Sequence, residues 1–294
     1  MRTRTLERPP SILPLYARAA ALMIPGASRL PFLPGGGGEI PEVELILDGV
    51  RAKPEALAAY DRVCGFALRD HLPPTYPHVL AFPLHMAVMA DGSFPFGAVG
   101  LVHLENRIAQ RRPVGVDEQL TLSVRPTPLK PHPKGRTFGL ITEARVGEEL
   151  VWESESTMLR RGEGSGEARK SYGERTPDGG PDVLPAAAEW KLGGDLGRRY
   201  AAVSGDRNPI HMHALSAKAL GFPAAIAHGM WTKARCLAAL EPRLPDAFTA
   251  EVSFRRPILL PGRVEFGSTA SDGRIDFFVR DAKKHTPHLE GSIK

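Results

Sequence analysis

Ile226-Ala227-His228-Gly229-Met230-Trp231-Thr232-Lys233-Ala234-Arg235-Cys236-Leu237-Ala238-Ala239-Leu240 is followed, beyond Pro242 and Pro245, by a stretch of quite different rhythm. Within it Ile226, Met230, Ala234 and Leu237 recur at helical spacing, which predicts one long helix over 226–240 with an apolar stripe. After the prolines the apolar residues alternate instead. Ala250, Val252 and Phe254 share one face, then Val264 and Phe266, then Ile275, Phe277 and Val279, and last Leu289 and Ile293. Alternation of this kind marks strands with one buried face. A long helix followed by an antiparallel meander is an α+β plan, in which a sheet wraps the helix and covers its stripe.

The same order runs through the preceding half. Val43–Leu47 reads as a strand, Pro54–Cys64 and His78–Ala90 as helices, and strands are expected near 99–109, 118–126, 136–146 and 150–159. Two short motifs recur as well. Tyr60-Asp61-Arg62-Val63-Cys64-Gly65 is similar to Tyr200-Ala201-Ala202-Val203-Ser204-Gly205, and Arg111-Arg112-Pro113-Val114 to Arg255-Arg256-Pro257-Ile258. The chain therefore reads as a duplicated unit. Between the copies, Arg160 to Glu189 is rich in Gly, Pro and charge and holds few residues that could build a core, as a linker does. The expected division is an arm over 1–38, a first unit over 39–160, a linker over 161–188 and a second unit over 189–294. In the arm, Arg2, Arg4 and Arg8 precede an apolar stretch, but Ala19 to Ile24 is only six residues, shorter than a signal-peptide core. One amphipathic helix closed by a Gly35–Gly38 hinge is expected there. That glycine run lacks the Lys-Ser/Thr that completes a phosphate-binding loop.

Composition narrows the function classes. At 294 residues the chain has length for two domains, and 42% hydrophobic with 24% charged residues is ordinary for a globular protein. Two cysteines, Cys64 and Cys236, are too few for a disulfide framework or a cysteine zinc site, and fit a reducing cytoplasm. No run approaches the length of a membrane span. The net charge of +5 divides as +1 over residues 1–160 and +4 over 161–294. That excess is too small and dispersed for a nucleic-acid footprint, yet suits one phosphate-bearing ligand near the second half.

Chemistry concentrates between Tyr200 and Trp231. After a short helix over Asp195–Val203 comes Ser204-Gly205-Asp206-Arg207-Asn208-Pro209-Ile210-His211, and then a second helix over Ala214–Leu220. Pro209 disfavours helix at Asn208, so Asp206, Asn208 and His211 are expected on a loop where their side chains converge. A carboxyl group, an amide and an imidazole at that spacing suit acid–base work. Taken alone, Asp206 would serve as well as a turn residue and His211 as a core histidine. Downstream, Gly229 at a helix start would let a backbone N–H approach a ligand carbonyl without a Cβ in the way. His211-Met212-His213 has no further ligand beside it for zinc, and Ser204 lacks the G-x-S-x-G of a hydrolase elbow.

Tyr200, Ser204, Gly205, Asp206, Asn208, Pro209, His211, Gly221, Phe222, His228, Gly229 and Met230 together resemble the hydratase-2 motif of the MaoC-like family of (R)-specific enoyl-thioester hydratases and dehydratases. Thr75-Tyr76-Pro77, Ala81-Phe82-Pro83, Phe94-Pro95-Phe96 and His103-x-Glu105-Asn106 are similar to the N-terminal half of the actinobacterial 3-hydroxyacyl-thioester dehydratases. The resemblance implies a double hot dog: two antiparallel sheets, each wrapped around a long helix, side by side. It implies reversible dehydration of (R)-3-hydroxyacyl thioesters to trans-2-enoyl thioesters in fatty-acid or related metabolism. Asp206 and His211 would share the proton transfers, Asn208 and Ser204 would support them, Gly229 N–H would hold the thioester oxygen and His228 would buttress the turn. Arg255 and Arg256 would meet the pantetheine phosphates, unless they are simply a solvated strand end. No metal or cofactor is implied beyond the CoA or acyl-carrier-protein thioester itself. In such proteins the first unit has lost its chemistry; here Phe66 falls at the Asp206 position, Leu68 at that of Asn208, and His71 opposite His211. The reading is of a cytoplasmic lyase, a monomer acting as a pseudo-dimer or a homodimer. A thioesterase on the same fold and a non-catalytic acyl-binding subunit stand as alternatives.

Overall fold

The computed structural model describes residues 1–21, 38–97, 100–162 and 185–294. In chain order the elements are β1 (Arg2–Leu6), α1 (Ile12–Ala21), β2 (Val43–Val50), α2 (Pro54–Cys64), α3 (Tyr76–Met89), β3 (Val102–Gln110), β4 (Leu120–Pro126), β5 (Lys130–His132), β6 (Gly135–Val146) and β7 (Glu149–Arg161). There follow β8 (Ala188–Leu192), α4 (Leu196–Ser204), α5 (Pro209–Met212), α6 (Ala214–Ala219), α7 (Gly229–Leu240), a single 3-10 turn (Glu241–Arg243), β9 (Phe248–Phe254), β10 (Gly262–Ser271), β11 (Arg274–Asp281) and β12 (Pro287–Ile293).

Each half builds a meander against its own long helix, as the alternating pattern requires. α3 buries Tyr76, Ala81, Leu84 and Val88, and α7 buries Met230, Ala234 and Leu237. The two meanders meet edge to edge. β3 pairs antiparallel with β9, Asn106 opposite Val252 and Ile108 opposite Ala250, so one sheet runs β1-β2-β4-β6-β7-β3-β9-β12-β11-β10-β8. Lys233 of α7 fastens this seam. It is fully buried, and its Nζ donates to Asn106 O at 3.1 Å, Asn106 Oδ1 at 2.6 Å and Ala250 O at 2.9 Å. Three acceptors call for three N–H donors, which only the ammonium form supplies. Burial drives the lysine strongly toward the neutral form; the three carbonyl-type oxygens oppose that and keep the proton.

The repeated Tyr-to-Gly motif has a structural cause. α2 and α4 end alike, at Gly65 with φ 84° and Gly205 with φ 77°, the left-handed turn that favours glycine at a helix end. From there the copies diverge. Leu72 N–H donates to Val114 O and Ala227 N–H to Ile258 O, while His71 bridges Gly115 and Ile226 bridges Leu259. The structure therefore sets His71 opposite Ile226 and not opposite His211. The first unit runs almost directly from Gly65 to this bridge and lacks a counterpart of α5 and α6. Phe66 has turned into the core, whereas Leu68 lies exposed.

Three other expectations are corrected. The long helix begins at Gly229 because Ile226 and Ala227 spend their N–H groups on Ile210 O and Ile258 O. His211 sits in a helical turn and not on an open loop, since Pro209 takes the first helical position, where no N–H is needed, and Asn208 caps it. The arm contributes to the fold: β1 adds a parallel strand to β2, Arg2 opposite Val43 through Leu6 opposite Leu47. The linker read over 161–188 falls mostly on 163–184, and the glycine hinge on 35–37; both stretches lie outside the described residues. Among the described residues no helix is long and apolar enough to cross a membrane.

Candidate active site

α4, α5 and the start of α7 converge on one cavity of about 420 Å³, within the range of small-molecule sites. Ser204, Asp206, Asn208, His211, Gly229, Arg255 and Arg256 all line it. The opposite wall comes from the first unit: Val79, Phe82 and Met89 of α3, with Leu101, Leu140 and Met158.

Asp206 is held by the turn that follows α4. Ser204 Oγ donates to Tyr200 O at 2.8 Å and accepts from Asp206 N–H at 3.2 Å, which fixes the backbone. Asp206 Oδ1 accepts from Asn208 N–H at 3.1 Å and from the Tyr16 hydroxyl at 3.0 Å. The side chain keeps 30% of its surface exposed, enough for a ligand in the cavity to reach it. Burial pushes this carboxyl up, but His228, His211, the Asn208 N–H and Tyr16 together outweigh it and hold its pKa below the ordinary value. Asn208 Oδ1 reaches Ile210 N–H at 3.5 Å, the longest contact of the set, so its amide acts as the cap of α5.

His211 is buried, and its Nδ1 lies 2.8 Å from Ile226 O. A carbonyl only accepts, so Nδ1 carries the proton and Nε2 is the bare nitrogen. Burial lowers the pKa of His211, with Asp206 and the Ile226 carbonyl opposing. His228 stacks on it with ring centroids 3.7 Å apart, and its Nε2 donates to Asp206 O at 3.0 Å. Burial, reinforced by His211, pushes His228 down to about 3. At neutral pH the site thus presents a carboxylate and a neutral imidazole. Asp206, His211 and His228 can each offer one atom within 4.8 Å of the others, so an ion could be accommodated between them.

Gly229 opens α7, and as a first-turn residue its N–H has no partner a turn earlier. The Phe254 ring lies where its side chain would be, 3.1 Å from an ideal Cβ. The two arginines differ. Arg255 is engaged by Glu290 at 2.6 Å and 2.7 Å, while Arg256 lies exposed at the cavity with its carbonyl accepting from His288 Nδ1. Lys134 and Arg161 of the first unit add two further cations to the same lining.

Two sets of residues escaped the sequence reading. His78, His85 and His103, all from the first unit, line the cavity as a cluster. Burial pushes His78 down to about 4 and His103 to about 3, and holds His85 well below the usual range, so all three are neutral. The motifs Ala81-Phe82-Pro83 and His103-x-Glu105-Asn106 pointed to α3 and β3, but not to the meeting of these three histidines at the cavity. The second is Tyr16, which lies 190 residues from Asp206 in the chain. Nothing local announces that contact.

Fold and site together define a double hot-dog protein in which the second unit's Asp206 and His211 line a cavity walled by the first. The MaoC like domain model matches residues 187–290. The 3-hydroxyacyl-thioester dehydratase X of Mycobacterium tuberculosis is 37% identical over 287 residues, spanning 97% of this chain and 98% of that protein. The crystal structure of HtdX from the same organism has a TM-score of 0.75 at 35% identity, covering 85% of this chain and 98% of that one. A MaoC-like dehydratase from Phytophthora capsici, 20% identical, shares the fold with a TM-score of 0.68 over 86% of this chain and 95% of its own. The chain belongs to the MaoC-like dehydratase family.

Proposed function

We propose that this chain is a hydro-lyase that reversibly dehydrates (R)-3-hydroxyacyl thioesters to trans-2-enoyl thioesters, with Asp206 and His211 as its acid–base pair. The observation that carries the reading is the pairing of an ionised Asp206 with a neutral His211 whose bare Nε2 is fixed by the Ile226 carbonyl, on the wall of a largely apolar cavity.

In the dehydration direction the C2–H and C3–O bonds break, the C2=C3 double bond forms and water leaves. C2 is acidic because the thioester carbonyl takes up the electron pair, and Gly229 N–H at the start of α7 is placed to stabilise the oxygen that receives it; one such donor is worth roughly 3 kcal/mol. Neither Asp206 nor His211 holds a spare proton at neutral pH. The proton taken from C2 is therefore the one delivered to the departing hydroxyl, which requires both to lie on the same face of the substrate. A syn reaction meets that requirement. Ser204 and Asn208 hold the turn. Arg256, Lys134 and Arg161, with Arg255 beside them held by Glu290, form the cationic rim for the phosphates of a CoA or carrier-protein thioester. No step calls for a metal, and the two buried free thiols suit a reducing, cytoplasmic setting.

The test is to mix the purified protein with trans-2-enoyl-CoAs of graded chain length and follow loss of the conjugated chromophore, with a thiol reagent as the second channel. Hydration without thiol release is expected, unchanged by chelator, and Asp206→Asn or His211→Ala abolishes it while the melting temperature stays near the native value. Thiol release in place of hydration, or activity surviving both substitutions, overturns the reading.

A further inference from the structure

Helix α1 belongs to the arm, yet its first turns pack against the second unit's Gly205–Arg207 turn. Ile12 packs where a Cβ on Gly205 would be, at 2.8 Å, and one turn later Tyr16 inserts its phenol between two groups of the adjoining loop. Its hydroxyl donates to Asp206 Oδ1 at 3.0 Å and accepts from Arg207 N–H at 2.7 Å. The oxygen's single proton is thereby committed to the carboxylate, because the Arg207 amide has already claimed a lone pair. Asp206, Asn208 and His211 line the cavity, whereas Tyr16 does not. The phenol thus bonds the carboxylate without itself lining the cavity.

We propose that Tyr16 is a positioning residue for Asp206, which makes helix α1 part of the catalytic apparatus of the second unit. With Asn208 N–H also on Oδ1, that oxygen is filled by two donors, and Oδ2 is the one left for substrate or water. Holding one oxygen fixes the carboxylate plane; a free rotor would offer either oxygen at many angles, and proton transfer depends on that angle. The charged and titratable neighbours around Asp206 are Arg207 on its own loop, Tyr200 on α4, His211 on α5, His228 at the start of α7, and His78 and His103 from the first unit. Among the described residues, Tyr16 and Asn208 are the ones that donate directly to Oδ1. The inference rests on the hydratase reading for its kinetic consequence, but not for the contact.

Tyr16→Phe removes one oxygen and leaves the ring that docks α1. Hydrogen bonds to charged groups set the expected loss, so kcat falls about 10- to 100-fold with KM within twofold of native. The acidic limb of the kcat/KM profile moves to higher pH, because the carboxylate has lost a donor that favoured its ionised form. A kcat and acidic limb equal to native overturn the proposal, and so does a change confined to KM, which would make α1 a mere binding wall. The contact has its own readout: the titration of the Asp206 carboxyl carbon in protein labelled with [13C]aspartate, assigned by its absence in Asp206→Asn. If the native protein hydrates no enoyl thioester, the functional reading fails, while an upward-shifted titration in Tyr16→Phe still supports the positioning role and an unshifted one refutes it.

Discussion

Gly229→Ala isolates the contribution of one backbone N–H without deleting it. Gly229 has no positive φ, so its backbone is one that alanine adopts, and in a helix alanine is intrinsically the better residue by about 1 kcal/mol. The difficulty is spatial. An ideal Cβ there lies 3.1 Å from two carbons of the Phe254 ring and 3.2 Å from a third, tighter than ordinary van der Waals contact. The ring is itself packed on His103, with centroids 5.0 Å apart, so it has little room to retreat. Overfilling a packed site costs about 1–3 kcal/mol, and part of that is relieved by moving the first turn of α7 away from the cavity. If Gly229 N–H stabilises the thioester oxygen, the displacement forfeits part of a contact worth roughly 3 kcal/mol. The expected outcome is a kcat/KM lower by about 10- to 100-fold, with urea-unfolding stability changed by less than about 1 kcal/mol as the propensity gain offsets the crowding. Phe254→Leu in the same chain makes room for the methyl group and returns most of the rate. A Gly229→Ala protein within twofold of native in kcat/KM refutes the oxyanion assignment. A double variant no faster than Gly229→Ala refutes the steric route.

Lys233→Met removes the ammonium at the seam and leaves Asn106 O, Asn106 Oδ1 and Ala250 O without their donor. A buried acceptor left without its donor costs about 1–3 kcal/mol, read from urea unfolding; a variant as stable as native would mean the lysine is dispensable. Asp61 gives a pH signature. Burial, with Glu241 adding to it, raises its carboxyl to about 6 from 3.8, and its Oδ1 is buried without a partner. The folded state therefore holds a proton that the unfolded state has released between those values, and stability falls as pH rises through that window. Asp61→Asn removes this slope, gaining up to about 3 kcal/mol at pH 8 relative to pH 4; an equal effect of the substitution at both pH values would contradict the assignment.

The sheet and both long helices were legible because their signals are local: period 2 after Pro245, helical spacing before it. The motif residues were legible for a related reason, since Asp206, Asn208 and His211 lie within one short stretch. What escaped depends on pairing across the chain. The start of α7 is set by Ile210 and Ile258, which draw Ile226 and Ala227 out of the helix although their spacing fits it. β1 forms because the edge of β2 lies open to it, and nothing between Arg2 and Leu6 signals burial; Leu6 alone is even partly covered. His71 was misplaced because counting from Gly65 cannot see that α5 and α6 have no counterpart there.

That missing segment bears on why the proposed acid–base pair falls in one unit and not in the other. Substituting Phe66 and Leu68 would by itself have left an inert copy of the same pocket. Among the described residues the first unit has no counterpart of α5, the turn that carries His211, so restoring Asp and Asn at 66 and 68 would not rebuild the pair. What the first unit retains is its long helix, and α3 uses it differently from α7. It contributes Val79, Phe82 and Met89 to the cavity that Asp206 and His211 also line. The seam between β3 and β9, fastened by Lys233, joins the unit that carries that wall to the unit that carries Asp206. The cavity is thus a property of the joined pair: the second unit contributes Asp206 and His211, the first contributes the apolar wall, and Tyr16 of the arm donates to the Asp206 carboxylate.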